Sequence, residues 1–361
     1  MKPDTDLLQN LLAQSYTPAE HPALQRLIDH PDTLRPLRGR AILDATPLFR
    51  NTLVKHLALL RAGAALTVAT SDAIPHDPAI LPILDDCHIP HTHNCTQPTD
   101  AFDLILDCAG AHAHLRPRLG FVELTRSGAW HFQHADRPVI LVDDSRTKTI
   151  ETGLGTGDGF VRALSHLGLG ALDGRRLVVF GCGKVGSGIA FHAARLGADV
   201  TAVDDATRIR TRPGVRLVDL HDEPAILDAV SRAWCVVSAT GKANALAAMT
   251  SVIQALLHGN QLVANMGVED EWGLDLPSVR VLNAKRPLNF CLPEPTLLRY
   301  IDPTMALSNL AAATLAAQPQ DFPNGLSRAP EALEQDIWRD VRQHGLIADM
   351  LDAWLDTEAT R

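Results

Sequence analysis

The chain has 361 residues, of which 46% are hydrophobic and 21% charged, a composition typical of a globular protein long enough for two domains. Its formal net charge of -9 argues against nucleic acid or an anionic membrane as the main partner. No apolar run approaches a membrane span and no signal-like segment opens the chain, so we expect a cytoplasmic protein. The 6 cysteines are scattered rather than spaced as a disulfide framework.

The first half of the chain predicts a parallel sheet with crossover helices. Residues 1–40 are helical in pattern, and buried-strand patterns then alternate with helical ones. From Gly153 to Gly174 glycines are frequent, which we interpret as a hinge into a second unit. From about Ala329 the pattern is that of an amphipathic helix. The predicted strands lie in AILDATPLF, ALTVAT, DLILDCAG and PVILVDDS, and NTLVKHLALLRAG is a predicted helix.

A stretch in the second half carries the pattern of a dinucleotide-binding turn. The apolar strand LVVF runs into Gly181-x-Gly183-x-x-Gly186, and the strand after the following helix ends at Asp204. Gly181 permits the tight turn, Gly183 lets the backbone approach a pyrophosphate, and Gly186 lets the helix pack on the strand. A carboxylate at Asp204 accepts from ribose hydroxyls and repels a 2′-phosphate, which favours NAD, although Arg208 lies nearby.

Two further units of the same domain, AWCVVSATGKAN and QLVANMG, each combine a strand with a turn. Small residues at Ala239, Thr240, Gly241 and Gly267 would let the nicotinamide half of a cofactor lie across the strand ends. Ordinary strand-end turns are an equal alternative.

Several motifs, taken in order, resemble the S-adenosylhomocysteine hydrolase (adenosylhomocysteinase) family, whose members contain NAD. The resemblance implies an α/β fold of two Rossmann-like domains, with an NAD domain (155–300) inserted into a discontinuous substrate domain (1–154 and 301–361). It also implies an active site in the cleft between them, where NAD transiently oxidises a ribose hydroxyl so that the 5′-substituent is eliminated and water adds. The matching stretches are ILDATPLFRNTLVKHLALLRAGA, GFVELTRSG, ILVDDSRTKT, GCGKVGSG, SATGKAN, ANMG and DPTMALSNL.

The resemblance also implies site residues, position by position. Lys148 matches the lysine that assists hydride transfer, and Thr46 matches a threonine of the substrate pocket. The expected cofactor-binding residues are Gly181, Gly183, Lys184, Val185, Gly186, Asp204, Thr125, Ser127, Thr240, Gly241 and Asn265.

Most acid–base groups of that family are replaced in this chain. Asp44 and Asp302 stand where the family has histidines, Cys108 replaces an aspartate, Leu124 a glutamate, and Val268 the histidine after ANMG. The family's C-terminal lysine–tyrosine arm has no counterpart. The implied substrate is therefore something other than S-adenosylhomocysteine.

Lys148 is the leading catalytic candidate, because a lysine beside a cationic nicotinamide has a lowered pKa and can act as a base. Pairing with a neighbouring aspartate is the alternative. Asp44 and Asp302 could divide into acid and base, or bind an amine or polyol. An equal alternative is that Asp44 caps a helix beginning near Thr46 and that Asp302-Pro303 starts one.

Glu123, Glu151 and Cys108 are further candidates for substrate contact. The stretch Cys87-His88-x-x-His91-x-His93-x-Cys95 contains metal-ligating residue types, but it lacks the paired spacing of a structural zinc site. We interpret it as a solvated histidine-rich surface loop and expect no metal.

Together these features predict an NAD-dependent enzyme that oxidises a hydroxyl of a small substrate. The oxidation is either transient, with elimination or dehydration, or a net oxidoreductase reaction. Authentic adenosylhomocysteinase (hydrolase) activity and a non-catalytic NAD-binding protein are the alternatives. We expect a biosynthetic setting and a homodimer or homotetramer.

Overall fold

A computed structural model describes residues 2–96, 101–209 and 213–359, with side chains as far as residue 355. The chain divides into two compact units. Unit 1 contains the residues up to Lys148 together with Leu298–Asp349, and unit 2 contains Thr149–Leu297 and the chain from Met350 onward. Each unit is an α/β structure around a parallel sheet, which confirms the predicted fold class of two Rossmann-like domains.

In the described part of unit 1, a seven-stranded parallel sheet has the order β12-β6-β5-β4-β1-β2-β3. Its direction of growth reverses between β1 and β4, the switch point at which open α/β sheets bind ligands. The strands are β1 (Ala41–Asp44), β2 (Ala65–Thr70), β3 (His91–His93), β4 (Leu104–Asp107), β5 (Gly120–Glu123), β6 (Pro138–Leu141) and β12 (Gly325–Arg328).

Helix α10 is the central helix of unit 1, because it is buried along most of its length between the sheet and other helices. Alanines and other small residues on it allow this close packing. The helices of this unit are α1 (Thr5–Ala13), α2 (Pro22–Asp29), α3 (Thr52–Arg61), α4 (Leu81–Asp86), α5 (Arg126–Ala129), α10 (Leu298–Ala317), α11 (Glu331–His344) and the start of α12 (Ala348–Ala359).

In the described part of unit 2, a five-stranded parallel sheet has the order β11-β10-β7-β8-β9, with its switch point between β7 and β10. Apolar side chains cover both faces of the sheet, as a parallel sheet requires. The strands are β7 (Arg176–Phe180), β8 (Asp199–Asp204), β9 (Val215–Asp219), β10 (Cys235–Ser238) and β11 (Leu262–Asn265), and the helices are α6 (Thr156–His166), α7 (Lys184–Arg195), α8 (Glu223–Arg232) and α9 (Thr250–His258).

The glycine-rich stretch from Gly153 is helical, so the prediction of a hinge there is wrong. A π-helical turn, Ile150–Gly155, leads directly into α6. A Cβ on Gly157 would collide with the backbone of Gly188, and one on Gly188 would collide with that of Gly153. These glycines therefore let α6 and α7 pack backbone to backbone.

The C-terminal helix begins in unit 1 and continues in unit 2, whereas the sequence placed all of residues 301–361 in the substrate domain. Trp354 packs edge-on against Phe191, with the ring centroids 5.3 Å apart, and it occupies the space beside Gly153 that a side chain there would fill. The predicted amphipathic helical tail is confirmed as α11 and α12.

Among the described residues, every helix is too short or too polar to cross a membrane.

Asp302 lies inside α10, in its second turn, so the alternative that Asp302-Pro303 starts a helix is wrong. Its Oδ2 accepts a hydrogen bond from the N–H of Ala23 at 3.1 Å, and its Oδ1 accepts one from that of Leu24 at 2.8 Å. Both N–H groups belong to the first turn of α2, where a helix has no acceptor of its own. Asp302 thus caps α2 from 279 positions away in the chain.

We expect Asp302→Asn to change how the free energy of unfolding depends on pH. Burial raises the pKa of Asp302 to about 7, against two backbone hydrogen bonds that lower it, while an unfolded aspartate has a pKa of about 3.9. Because the native state holds the proton more tightly, this group stabilises it fully below the unfolded pKa. That stabilisation is lost as the pH rises through about 7.

Urea unfolding at several pH values between about 4 and 8 measures this difference. As the pH rises across that range, the free energy of unfolding of the wild type should fall by a few kcal/mol relative to that of Asp302→Asn, since each unit of pKa shift corresponds to about 1.4 kcal/mol. A difference that stays constant with pH would contradict the assignment.

Candidate functional site

The loop that joins β7 to α7 has the backbone geometry of a dinucleotide-binding turn. Gly181 has a φ of +90°, and a Cβ there would lie 2.5 Å from the carbonyl oxygen of Ala239. A Cβ on Gly186 would collide with the carbonyl oxygen of Gly181, whereas one on Gly183 would meet no atom of the described residues within 4 Å. Packing within the protein therefore requires glycine at positions 181 and 186. Gly183 instead leaves open space into which a ligand could fit, as the binding of a pyrophosphate needs.

Helix α7 presents its N-terminus at this loop. Its N-cap is the exposed Gly183, so the positive end of the helix dipole lies at this loop, where it favours an anion. Lys184 is exposed at the first helical position, and Val185 packs against the core of unit 2. The residues present therefore fit a dinucleotide phosphate.

Asp204 ends β8 beside the same loop, where the sequence predicted it. Its Oδ2 accepts from the N–H of Cys182 at 2.6 Å, and its Oδ1 from that of Asp205 at 2.7 Å. Arg208, the residue that would favour a 2′-phosphate, forms an ion pair with Asp205, with 3.1 Å between Nε and Oδ2. The direct contact of Asp204 with a ribose stays a prediction.

Glu271 organises the end of β10, and sequence reasoning missed it. Its two carboxylate oxygens accept from the N–H groups of Thr240 at 2.8 Å and Gly241 at 2.6 Å, two of the predicted cofactor residues. The carboxyl is fully buried, and burial raises its pKa although these hydrogen bonds lower it. The backbone of this turn is therefore held from within the protein.

Asn265, predicted to lie near the nicotinamide, is fully buried at the end of β11. Its Nδ2 donates to the carbonyl oxygens of Gly267, Glu269 and Lys285 at 2.7–2.9 Å. Its Oδ1 accepts from the hydroxyl of Ser238 at 2.9 Å. The amide thus joins the ends of two neighbouring strands to the loop that follows.

The switch point of unit 1 holds a buried charge cluster, which we define as Asp44, Thr46, Lys55 and His56. All four side chains are nearly or fully inaccessible to solvent. The ammonium of Lys55 donates to the carboxylate of Asp44 and, at 2.9 Å, to the hydroxyl of Thr46. His56 Nε2 lies 3.6 Å from Asp44 Oδ1, and the N–H of Thr46 donates to that same oxygen at 2.9 Å.

This arrangement keeps Asp44 ionised. Burial alone would raise the pKa of its carboxyl, but the charge of Lys55 and the neighbouring ring of His56 hold it well below the usual range. Burial lowers the pKa of Lys55, against the attraction of Asp44. Helix α3 begins only at Thr52, so the alternative that Asp44 caps a helix near Thr46 is wrong.

Cys108 and Glu123 lie at the ends of the neighbouring strands. Cys108 follows β4 and is buried. Glu123 ends β5 beside Asp107, and burial with that second carboxylate raises the pKa of Glu123 to about 7. Asp107 accepts from both the backbone N–H and the ring Nδ1 of His112, at 3.0 and 3.2 Å. Sequence reasoning missed Lys55, His56, Asp107 and the role of His112.

Thr125 and Ser127, predicted to contact the cofactor, lie in unit 1. Thr125 is the N-cap of α5, where its hydroxyl accepts from the N–H of Gly128 and donates to Glu123. Ser127 donates to that same hydroxyl at 3.3 Å. The local role of both side chains is to close the turn after β5.

The backbone around Lys148 is anchored by α11. Glu334 Oε2 accepts from both the N–H and the hydroxyl of Thr147, each at 2.7 Å, and Trp338 Nε1 donates to that hydroxyl at 3.1 Å. The N–H of Lys148 donates to Ser145 Oγ at 3.1 Å, and the Lys148 side chain is largely buried. Glu334 and Trp338 follow the motif by nearly 190 positions, so the motif itself could not indicate them.

Glu151 is half-buried in the π-helical turn of unit 2.

The histidine-rich stretch is partly strand β3 rather than only a loop, because its backbone pairs with β2. Cys87 and Cys95 are buried, and His91 and His93 face Asp85 and Asp72. Within the described residues, no group of three or more His, Cys, Asp or Glu side chains is placed to hold a metal ion.

Comparison with known proteins supports the cofactor assignment. Residues 170–271 match a family model described as NAD(P)-binding, which covers the fingerprint loop, Asp204 and Glu271. Unit 2 therefore contains an NAD(P)-binding Rossmann-like domain. No curated protein sequence matches the chain.

One of three solved structures that match the chain, all at low sequence identity, reaches a TM-score above 0.5 and so shows a similar fold. A dipicolinate synthase structure from Bacillus halodurans has 14% identity and a TM-score of 0.52, over 78% of this chain and 99% of that chain. A dipicolinate synthase structure from Bacillus subtilis has 12% identity and a TM-score of 0.43, over 90% and 99%. A transhydrogenase from Sinorhizobium meliloti has 13% identity and a TM-score of 0.37, over 63% and 78%.

We expect Lys55→Met to destabilise unit 1 strongly, because it leaves Asp44 buried without a counter-charge. Removal of one partner of a buried pair costs about 3–5 kcal/mol. The double variant Asp44→Asn/Lys55→Met should lose less free energy of unfolding than the sum of the losses of the two single variants. The difference is the coupling energy between Asp44 and Lys55 in a double-mutant cycle. The matched control is Lys242→Met at an exposed lysine, which should change the free energy of unfolding by less than about 0.5 kcal/mol.

The pH dependence of this loss has a definite sign. In the wild type the lowered pKa of Asp44 adds stability above the ordinary aspartate pKa, and this is lost as the pH falls. In Lys55→Met the charge that opposes burial most strongly is gone, so the Asp44 pKa should rise and the variant should be relatively less destabilised at low pH. Chemical denaturation that finds equal losses at about pH 5 and about pH 8 would refute the buried pair.

Proposed function

We propose that the protein is an NAD-dependent enzyme that oxidises a hydroxyl group of a small substrate other than S-adenosylhomocysteine. In this proposal it is a divergent member of the adenosylhomocysteinase-like group. The observation that carries the proposal is the β7–α7 loop, in which Gly183 leaves open space in front of a helix N-terminus while the flanking glycines are required by packing. A bound nicotinamide cofactor would supply the hydride acceptor.

The cofactor proposed is NAD. The carboxylate of Asp204 lies against the fingerprint loop, where a negative charge disfavours a 2′-phosphate and suits ribose hydroxyls. Arg208 is paired with Asp205, so its charge is partly neutralised. Both observations favour NAD over NADP.

Lys148 is the proposed base that takes the proton of the substrate hydroxyl as the hydride leaves. A general base must be held within reach of the proton that it takes, and Lys148 is 5% exposed. Glu334 and Trp338 hold the adjoining Thr147, which supports a fixed position for the lysine rather than a mobile surface role.

The substrate is proposed to differ from S-adenosylhomocysteine because both replaced histidines have become structural carboxylates. Asp302 caps α2 through both oxygens, and Asp44 is held ionised by Lys55. Asp44 is therefore not disposed to shuttle a proton near neutral pH, and both oxygens of Asp302 are engaged by the backbone of α2. Thr46 accepts from Lys55, which leaves its own O–H to donate to a substrate oxygen.

Gly183→Ala should abolish cofactor retention without unfolding the protein. The new methyl meets open space in the free protein but would fill the space that a bound pyrophosphate needs. We expect NAD affinity to fall by at least about tenfold, the equivalent of 1.4 kcal/mol. The measurement is the NAD⁺, NADH and NADP⁺ released per chain on denaturation of dialysed protein, together with titration of NAD.

The matched control is Gly170→Ala, which adds the same methyl at an exposed position where the nearest atoms lie at 4.0 Å. It should retain wild-type affinity. If the wild type binds no nicotinamide cofactor, or if Gly183→Ala binds it normally, the proposal fails. Weak, reversible binding of NADH would favour a net oxidoreductase over transient oxidation.

Lys148→Met should retain the bound cofactor but lose the ability to oxidise a substrate hydroxyl. Incubation of wild type with a panel of nucleosides and related alcohols should convert bound NAD to NADH, seen in its near-ultraviolet absorbance. The variant should do so at least about 100-fold more slowly, as removal of a general base predicts. A non-catalytic NAD-binding protein would give no NADH with either form, and homocysteine release from S-adenosylhomocysteine would show authentic hydrolase activity.

A further inference from the structure

The switch point of unit 2 divides the carboxyl ends of its strands into two halves. Strand β7 is central, with β8 on one side and β10 on the other. The fingerprint loop after β7 and Asp204 at the end of β8 form one half, to which the proposed function assigns the phosphates and a ribose of NAD. The other half is bordered by residues 239–241, which we call the β10 turn. The nicotinamide half of a dinucleotide that crosses the switch point would therefore face the β10 turn.

The β10 turn packs directly against the fingerprint loop. A Cβ on Gly181 would lie 2.5 Å from the carbonyl oxygen of Ala239 and 2.9 Å from the Cα of Thr240. Gly241 is exposed and has a φ of +71°, and a Cβ there would meet no atom of the described residues within 4 Å. The β10 turn thus has the fingerprint loop beside it and open space in front of Gly241.

The carboxylate of Glu271 lies on the inner side of the β10 turn. Its Oε2 accepts from the N–H of Thr240 at 2.8 Å, and its Oε1 accepts from that of Gly241 at 2.6 Å. A Cβ on Gly267 would collide with the same Oε1, so the glycine makes room for this carboxylate. Because each oxygen holds one of two consecutive N–H groups, the carboxylate cannot move without releasing the turn.

We propose that Glu271 is a positioning residue for the nicotinamide half of the cofactor. It is fully buried, so it acts through the backbone of Thr240 and Gly241 and not by touching the cofactor. The inference rests on the proposed function and adds a residue that the fingerprint pattern does not include. A side chain that lost one acceptor would leave a backbone N–H unsatisfied, and the wall of the crevice would change shape.

This role requires the ionised form of Glu271, because a protonated carboxyl carries an O–H donor where an acceptor is needed. Burial raises the pKa of Glu271, although the hydrogen bonds from the β10 turn lower it. The charged side chains next to it in the chain and on the turn point to other partners or to solvent. Asp270 pairs with Lys285 at 2.7 Å, and Glu269 and Lys242 are exposed. Acid should therefore weaken NAD binding by protonating Glu271.

NAD and ADP are matched probes, because ADP has the adenosine and two phosphates but lacks the nicotinamide half. In Glu271→Gln an amide nitrogen replaces one acceptor oxygen with almost no change of shape. At about pH 8 we expect the affinity for NAD to fall about tenfold and that for ADP less than about twofold, as the loss of one hydrogen bond to a charged acceptor predicts. Calorimetric titration measures both affinities.

Two further variants separate position from charge. Glu271→Asp keeps the charge but is shorter by one CH₂ group, so it cannot hold both N–H groups and should also lose affinity for NAD. Wild-type affinity in Glu271→Asp would show that charge alone matters and would overturn the positioning role. Glu269→Gln removes the same charge from an exposed side chain of the same loop and should leave both affinities unchanged.

The pH profile gives a readout that loss of folding would not produce. The difference in NAD affinity between the wild type and Glu271→Gln should narrow as the pH falls from about 8 to the ordinary glutamate pKa of 4.5. The comparison at each pH cancels any titration of the ligand itself. A difference that stays constant over this range would contradict the role of the carboxylate.

Hydrogen exchange in the wild type tests the same inference if the variants do not fold. NAD should slow amide exchange in the peptide that contains Thr240 and Gly241 more than ADP does. Equal slowing by both probes, or equal loss of NAD and ADP affinity in Glu271→Gln, would overturn the inference. A wild type that binds neither probe would overturn the proposed function as well, whereas NAD binding that Glu271→Gln leaves unchanged would overturn only the role of Glu271.

Discussion

A backbone N–H that leaves water needs an acceptor, and at the ends of the strands of both sheets that acceptor is repeatedly a buried or half-buried carboxylate. Glu123 accepts from the backbone of Ala109, Gly110 and Thr125, and Asp204 and Glu271 do the same for the loops after β7 and β10. Parallel strands end at one edge in irregular turns that cannot pair with a neighbouring strand, so these turns depend on side-chain acceptors. The loops that could hold ligands are therefore shaped by the carboxylates behind them.

This use of carboxylates limits what they can do chemically. A carboxylate that accepts several N–H groups gains most from being ionised, while burial acts in the opposite direction, and the balance differs from site to site. At Glu123, burial and the adjacent Asp107 dominate and the pKa rises to about 7. At Asp44, the ammonium of Lys55 dominates and the carboxyl stays ionised. Residues that look equivalent in the sequence as acidic candidates thus differ in protonation because the balance between burial and their partners differs.

The features that could be predicted from the sequence are those set by local chain geometry. The glycines of the fingerprint and Asp204 act within one strand–turn–helix unit, so their spacing indicates their arrangement, and alternating apolar segments indicate the parallel sheets. The partners of the carboxylates could not be predicted in this way. Asp302 caps a helix 279 positions away, Glu271 serves a turn 30 positions earlier, and Lys55 lies on a helix whose other residues are mostly apolar. The glycines after Gly153 led to a wrong prediction of a hinge, because glycine is frequent both in flexible joints and where two helices pack closely.

The two sheets have the same strand order around their switch points but differ in the connection that follows the central strand. In unit 2, residues 181–183 pass directly from β7 into α7, so the helix N-terminus and its N–H groups face the loop. In unit 1, residues 45–51 intervene between β1 and α3, and the side chain of Lys55 returns to the strand end to pair with Asp44. A helix N-terminus would offer positive charge to an incoming phosphate. In unit 1 the positive charge at this place is the ammonium of Lys55, which the carboxylate of Asp44 already neutralises. One sequence thus folds two similar sheets, of which unit 2 has an exposed helix N-terminus after its first strand and unit 1 has a buried polar cluster that is neutralised internally.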